Sequence, residues 1–315
     1  MVTDGDIRRS LLNNVNINEK ISLIMNHNYI FVEKTTPVKL IKNLFETKLI
    51  NQIPVIDKNL HLIDVLDYRH YDDKKVQNTP VIILAGGEGR RLAELTQNTP
   101  KPMLKIGNSK PLLEIIIEQL KSYGFTNIHI SVNYLKNVIQ DYFQNGEKFG
   151  VNIKYIHEPI KMGTVGSIKL IQEQLTQPFI VINGDVLTKL NIEQLLNFHN
   201  QNKNIITVCT KKTETNVQYG VLKLEGNIIV DFEEKPKISN MINAGIYCLN
   251  PEIINSIPDN TYFDMVDLIK IYLKSKQILS FPITEFWLDV GSLESLRIAD
   301  EKYLDIFGGI NEIRE

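Results

Sequence analysis

Three cations, Arg90, Arg91 and Lys101, follow a glycine-rich turn at Gly86-Gly87 in the stretch Thr79–Pro102 (TPVIILAGGEGRRLAELTQNTPKP). Glycine lets a backbone come close to a ligand, and the unpaired N–H groups of a strand-to-loop turn attract an anion. Cations beside such a turn point to a bound polyphosphate. The pattern is not a Walker A loop, because Gly-x-x-x-x-Gly-Lys-Ser/Thr is missing, nor a dinucleotide fingerprint, because GGEGRR has no third glycine in place. Two acids stand apart, Asp185 in INGDV and Asp289 in FWLDVGS, each after an apolar run. Taken singly each is an ordinary helix cap, but ligand sites in α/β sheets lie at these C-terminal strand ends.

The elements that must position these groups are legible from hydrophobic periodicity. Val81 to Ala85 is a continuous β-branched run, as a buried parallel strand requires. Pro111 opens a helix carrying Leu112, Leu113, Ile116, Ile117 and Leu120, and Gly124 closes it. Strands are expected at Ile128–Val132, Asn152–Ile156 and Phe179–Ile182, with helices at Tyr134–Phe143 and Val165–Leu175 between them. This alternation predicts an α/β fold around a mostly parallel sheet. Tyr219 to Leu249 reads as an antiparallel excursion and Leu293–Phe307 as a closing amphipathic helix.

The first 70 residues read differently. YIFVEKTT is strand-like, and Pro37 opens a helix with Leu40, Ile41, Leu44 and Phe45 on one face. Gln52 to Asp57 reads as a short strand ending in a turn at Lys58-Asn59, and Leu60 to Val65 resumes β. Asp6-Ile7-Arg8 recurs as Asp67-Tyr68-Arg69, a faint internal repeat. The polar run YRHYDDKKVQN reads as a linker, which divides the chain into 1–70, 71–78 and 79–315.

At 315 residues, 43% hydrophobic and 23% charged, the chain has ordinary globular composition and room for two domains. A net charge of −2 disfavours a general nucleic-acid binder. Cys209 and Cys248 sit in apolar runs and are expected to be buried thiols, in keeping with a cytoplasmic protein. No apolar run reaches the ~20 residues of a membrane span, and MVTDGDIRRS is no signal peptide. The six histidines, His27, His61, His70, His129, His157 and His199, show no metal-ligand spacing.

Arg91-Leu92, Leu95-Thr96 and Pro100-Lys101-Pro102 resemble the signature of the sugar-1-phosphate nucleotidyltransferases, and the likeness continues to near Phe307. Arg90 departs from the pattern, which usually has Thr there, as does Ala93-Glu94, where Pro is common. The resemblance implies a Rossmann-like, glycosyltransferase-A-like sheet and transfer of a nucleotidyl group from an NTP to a sugar 1-phosphate. It implies that Leu84, Ala85, Gly86 and Gly87 approach the nucleotide, that Arg91 and Lys101 are the catalytic cations, and that Asp185 and Asp289 bind Mg²⁺. Glu158, Gly163 and Thr164 fall in its base-recognition segment. Tyr219, Gly220, Glu234, Lys235, Asn243 and Gly245 fall on the side of the sugar phosphate. An ionised Glu158 only accepts hydrogen bonds, which suits the adjacent N1–H and N2–H₂ donors of guanine and argues for GTP. Arg90 is open at this point between holding pyrophosphate and facing solvent.

VTDGDIRR and IPVIDKNLHLIDVLDYRH resemble the CBS domain family, the first as the tail of one repeat and the second as the end of a complete repeat. The resemblance implies a small α+β module in which Thr3 and Asp6 contact the phosphate and ribose of an adenosine nucleotide. With half of the first repeat missing, and Asp64 in place of a hydroxyl in the second, a packing or dimerising module without ligand is the favoured reading. A CBS segment before such a domain resembles the glucosamine-1-phosphate guanylyltransferases of legionaminic acid biosynthesis. The rivals are a uridylyl- or thymidylyltransferase for glucose 1-phosphate, a guanylyltransferase for mannose or heptose 1-phosphate, and a non-catalytic adenosine-nucleotide sensor. A homo-oligomer is left open.

Overall fold

A computed structural model describes residues 1–307 except 14, 17, 49, 69–75, 93, 108–109 and 172–174. The expected linker at 71–78 and His70 therefore fall largely outside the described residues, as does Ala93. The chain divides into two compact units, Met1–Gln77 with Ser122–Gly124, and Asn78–Lys121 with Phe125–Glu315. Among the described residues no helix is long and apolar enough to cross a membrane.

The first unit holds α1 (Asp4–Leu12), β1 (Val32–Glu33), α2 (Val38–Lys48), β2 (Gln52–Ile56) and β3 (Leu62–Asp67). β1 runs parallel to β2, and β3 pairs antiparallel on the other side of β2. Ile41 and Phe45 of α2 meet Val32, Ile53 and Val55 in its core, with Leu44 packed against them. Leu40, expected on the same face, is exposed. A core three strands wide covers only the centre of the helical stripe. The strand expected through YIFVEKTT is limited to two residues, because Glu33 and Thr36 already bond to each other as a turn.

The second unit begins with β4 (Val81–Leu84), β5 (Lys105–Ile106), β6 (Lys110–Pro111), α3 (Leu112–Ser122) and β7 (Asn127–Val132). Next come α4 (Lys136–Phe143), β8 (Asn152–His157), α5 (Gly163–Gly166) and β9 (Phe179–Asn183). β10 (Val186–Thr188), α6 (Ile192–Asn202), β11 (Ile206–Asn216), β12 (Val221–Glu225), β13 (Ile228–Glu233) and β14 (Lys237–Leu249) follow. α7 (Met265–Tyr272), β15 (Ile278–Pro282), β16 (Trp287–Asp289) and α8 (Leu293–Phe307) complete it. α4 starts later than its periodicity suggests because Leu135 is left-handed, at φ 47°. The expected helix at Val165–Leu175 is α5 followed by tighter turns through Ser167–Ile171, and its remainder lies partly outside the described residues.

Seven strands form the central sheet in the order β15-β11-β14-β9-β4-β7-β8. Only β14 among them runs against its neighbours, so the sheet is mostly parallel, as expected. Ile82, Val181 and Phe179 pack on one face with Val165, Ile168, Met265 and Leu268. Cys209 and Cys248 are buried thiols, and burial pushes the Cys248 thiol upward.

Candidate functional site

β4 and β9 are parallel neighbours in register at Leu84↔Asn183, so the chain leaves both at the same edge of the sheet. The Gly184 N–H donates to the Leu84 carbonyl at 2.9 Å and ties the two exits together. One residue on, Asp185 enters β10, which pairs antiparallel with β16 at Val186↔Asp289. The Val290 N–H donates to the Asp185 carbonyl at 2.9 Å. Two acids 104 residues apart in the numbering are thereby held side by side at the C-terminal edge of the sheet.

Lys101 reaches them from the short helical turn Lys101–Met103, whose entry backbone is set by Pro100. Its Nζ donates to Asp185 Oδ2 at 2.5 Å and lies 3.8 Å from Asp289 Oδ1. The lysine is 8% exposed, so its charge is stabilised by these carboxylates rather than by water. Burial, and then the charge of Asp185, raise the Asp289 carboxyl above its ordinary value, against the pull of Lys101 and Arg91. Asp185 Oδ1 and Asp289 Oδ1 are buried without hydrogen-bond partners. Two orphaned carboxylate oxygens are hard donors of the kind Mg²⁺ takes, so the residues fit that ion. Arg91 lies against Gly291, where a β-carbon would be 3.0 Å from its Nη2. A cavity of about 250 Å³ opens here, lined by Ala85, Gly87, Arg91, Lys101 and Asp185 among others. A larger cavity of about 640 Å³, lined by His129, Lys154, His157, Lys169 and Asp259, contains none of these groups.

Glu158 follows β8 and stands beside the glycine turn. Its Oε1 accepts from Ser131 Oγ at 2.7 Å and its Oε2 from the Met162 N–H at 3.1 Å. Gly86 packs closely here: a β-carbon there would be 2.8 Å from Glu158 Oε1 and 3.2 Å from Asn133 Cβ. Gly163 and Thr164 open α5, but the Thr164 hydroxyl is engaged within the protein. It donates to Asp264 Oδ1 at 3.1 Å and accepts from the Met265 N–H at 2.7 Å.

The residues expected on the sugar side split into two groups. Asn243 and Gly245 sit at the irregularity between β11 and β14, where Gly245 has φ +71° and donates to Asn243 Oδ1 at 3.0 Å. Asn243 Nδ2 in turn donates to Tyr247 Oη at 2.8 Å. A β-carbon on Gly245 would strike Asn183 Nδ2 at 2.6 Å, so this group adjoins the end of β9. Tyr219, Gly220, Glu234 and Lys235 instead cluster at the open end of the β12–β13 hairpin, with Tyr219 79% exposed. Among the described residues no hydrogen bond or ion pair joins them to Lys101, Asp185 or Asp289.

Arg90 pairs with a neighbour: its Nε donates to Glu88 Oε2 at 2.6 Å, and the side chain is 81% exposed. Its partner lowers its availability to a ligand, although the residue borders the smaller cavity. Ser131, Asn183 and Gly291 were not singled out by sequence reasoning. A lone hydroxyl in the apolar strand Ile128–Val132 is the signal that marks Ser131. His129 and His199 are buried, the latter between Thr207 and Asn250, while His61 is exposed beside Asp57.

The sequence profile of the nucleotidyl transferase family matches residues 80–306. The chain belongs to that family. It is 36% identical over 233 residues to the mannose-1-phosphate guanyltransferase of Saccharomyces cerevisiae, covering 71% of this chain and 64% of that protein. The mannose-1-phosphate guanyltransferase of Candida albicans is 35% identical over 219 residues, covering 67% of this chain and 60% of that one. The chain therefore spans under two thirds of the length of these curated relatives. Among solved structures, HddC from Yersinia pseudotuberculosis superposes with a TM-score of 0.56 at 27% identity, covering 71% of this chain and 99% of that one. HddC has also been solved complexed with GMP-PN. The nucleotidyl transferase fold runs from β4 to α8, and the Rossmann-like α/β expectation agrees with it.

Proposed function

We propose that the chain transfers a nucleotidyl group from GTP to a sugar 1-phosphate, giving a GDP-sugar and pyrophosphate. The observation that carries this is Lys101 set between Asp185 and Asp289 at the exits of β9 and β16, with one oxygen of each acid left without a partner. An oxygen of the sugar phosphate attacks the α-phosphorus in line, and the bond to the bridging oxygen of pyrophosphate breaks. The nucleophile is already ionised at neutral pH, so no side-chain base is needed. Lys101 and Arg91 offset the negative charge that both substrates bring to one place. Asp185 and Asp289 would hold Mg²⁺, which supplies further charge neutralisation at the reacting phosphates. Glu234 and Lys235 would take the sugar hydroxyls and its phosphate.

Glu158, clamped as an acceptor beside Gly86, supports guanine, as do relatives named guanyltransferases. Glucosamine 1-phosphate is the acceptor that the CBS-preceded resemblance implies. Mannose 1-phosphate is the second reading, favoured by the names of the relatives. Pyrophosphate release across GTP, UTP and dTTP with glucosamine, mannose, heptose and glucose 1-phosphates tests both. We expect the GTP and glucosamine 1-phosphate pair to be fastest; good turnover with UTP or dTTP and none with GTP would sink the guanine assignment.

The first unit we read as the CBS-like module, serving packing rather than nucleotide binding. Thr3 and Asp6 are spent on each other. Thr3 Oγ1 donates to Asp6 Oδ2 at 2.7 Å and accepts from the Asp6 N–H at 3.3 Å, a capping box at the start of α1. Calorimetric titration with AMP and ATP should give no heat from this unit.

A further inference from the structure

Guanine recognition by a carboxylate needs more than a carboxylate in reach. Both oxygens must face the base edge together, because N1–H and N2–H₂ are parallel donors fixed on one ring. A free glutamate side chain has three rotatable bonds to fix, at a cost in conformational entropy. Glu158 is held instead at both oxygens, Oε1 by Ser131 Oγ at 2.7 Å and Oε2 by the Met162 N–H at 3.1 Å. Each oxygen retains a second acceptor position. Ser131 is fully buried on β7, and its strand is also the partner of the Ala85 N–H, through the Ser131 carbonyl at 2.9 Å. The same residue thus fixes the approach of the glycine turn by its backbone and the reading carboxylate by its side chain. On the other side the Gly86 backbone packs close to Oε1, where a β-carbon would be 2.8 Å away.

We infer that Ser131 is a positioning residue for base selection, locking Glu158 so that its carboxylate reads the N1–H and N2–H₂ edge of guanine. This rests on the guanylyl-transfer reading. Ser131 touches no substrate in the scheme; it acts through Glu158. The Met162 clamp is backbone and survives any side-chain change, so Ser131 is the part that mutation can remove.

The test uses inosine triphosphate, which keeps N1–H but lacks the N2 amine. Binding of GTP, ITP and UTP is measured by titration calorimetry on the full chain and on Ser131→Ala and Ser131→Thr, together with kcat at saturating GTP. The wild type should bind GTP about tenfold more tightly than ITP, the value of one hydrogen bond to a charged acceptor. Ser131→Ala should bring that ratio to within about threefold while leaving kcat within about twofold. Ser131→Thr, which keeps the hydroxyl, should restore the ratio. A GTP to ITP ratio unchanged in Ser131→Ala, or equal weakening of GTP, ITP and UTP, overturns the assignment while leaving guanine selection standing. A wild type that binds UTP as tightly as GTP overturns the guanine reading itself and this inference with it.

Discussion

The region proposed for the nucleotide and the region proposed for the sugar are built in opposite ways. Lys101 and Asp185 are bonded to each other where the chain leaves β4 and β9 of the buried central sheet, and β10 and β16 bring Asp289 beside them. On the β12–β13 hairpin, Val221, Leu222, Leu224, Ile228, Ile229 and Phe232 are all exposed, and the hairpin pairs with no further strand among the described residues. Two strands alone are marginally stable in water. On the proposed function the difference has a reason: charge is best pre-arranged where phosphates react, since a cation that has to reorganise during reaction stabilises less. A sugar, which brings hydroxyls, can be met by a more open surface.

The contrast can be broken most forcefully at Lys101. Lys101→Met should lower kcat/KM on the order of 10³-fold in steady-state pyrophosphate release. It also leaves Asp185 and Asp289 facing each other without their shared cation. A loss under about tenfold would mean that the charge is not pre-arranged as described. Next comes packing: Phe179→Ala, in the core cluster, should cost about 3–5 kcal/mol in urea unfolding, whereas Phe232→Ala on the hairpin should cost under about 1 kcal/mol. Equal costs would show the hairpin to be covered in solution.

A third effect belongs to the sheet alone. Burial, with Lys154 beside it, holds His129 at about 4, below its ordinary 6.5. The unfolded chain therefore takes up a proton between those values and the folded chain does not. Stability present above pH 6.5 should fall as the pH drops toward 4, by up to roughly 3 kcal/mol. Denaturant midpoints at pH 7.5 and 4.5 for the wild type and His129→Gln measure it; the same pH dependence in both proteins would rule His129 out. The smallest effect is Arg90→Ala, expected to change kcat/KM by no more than about twofold because Arg90 faces solvent on Glu88. A tenfold loss would give it to pyrophosphate after all.

Much of the frame was readable before any coordinates. Val81 to Leu84 is a buried strand because β-branched runs fit a sheet covered on both faces, and α8 spans the residues that its periodicity marks. The failures have local causes. Leu40 continues the apolar stripe of α2 past the width of the core beneath it. α4 begins at Lys136 and not at Tyr134, because Leu135 before it is left-handed at φ 47°. Periodicity reports which face of an element is apolar but not how wide its partner is.

The sequence by itself determined the kinds of groups available: a glycine turn after a strand, cations behind it, and acids at two further strand ends. Those follow from neighbours along the chain, where backbone sterics and hydrophobic alternation act over a few residues. Only the tertiary structure decided that Lys101 meets Asp185, that Ser131 holds Glu158, and that Arg90 pairs with Glu88 at the rim of the smaller cavity. The first two join residues 84 and 27 positions apart, and such pairs are selected by strand order and register in the folded sheet. The last joins residues two positions apart, and spacing alone did not choose between that carboxylate and a ligand.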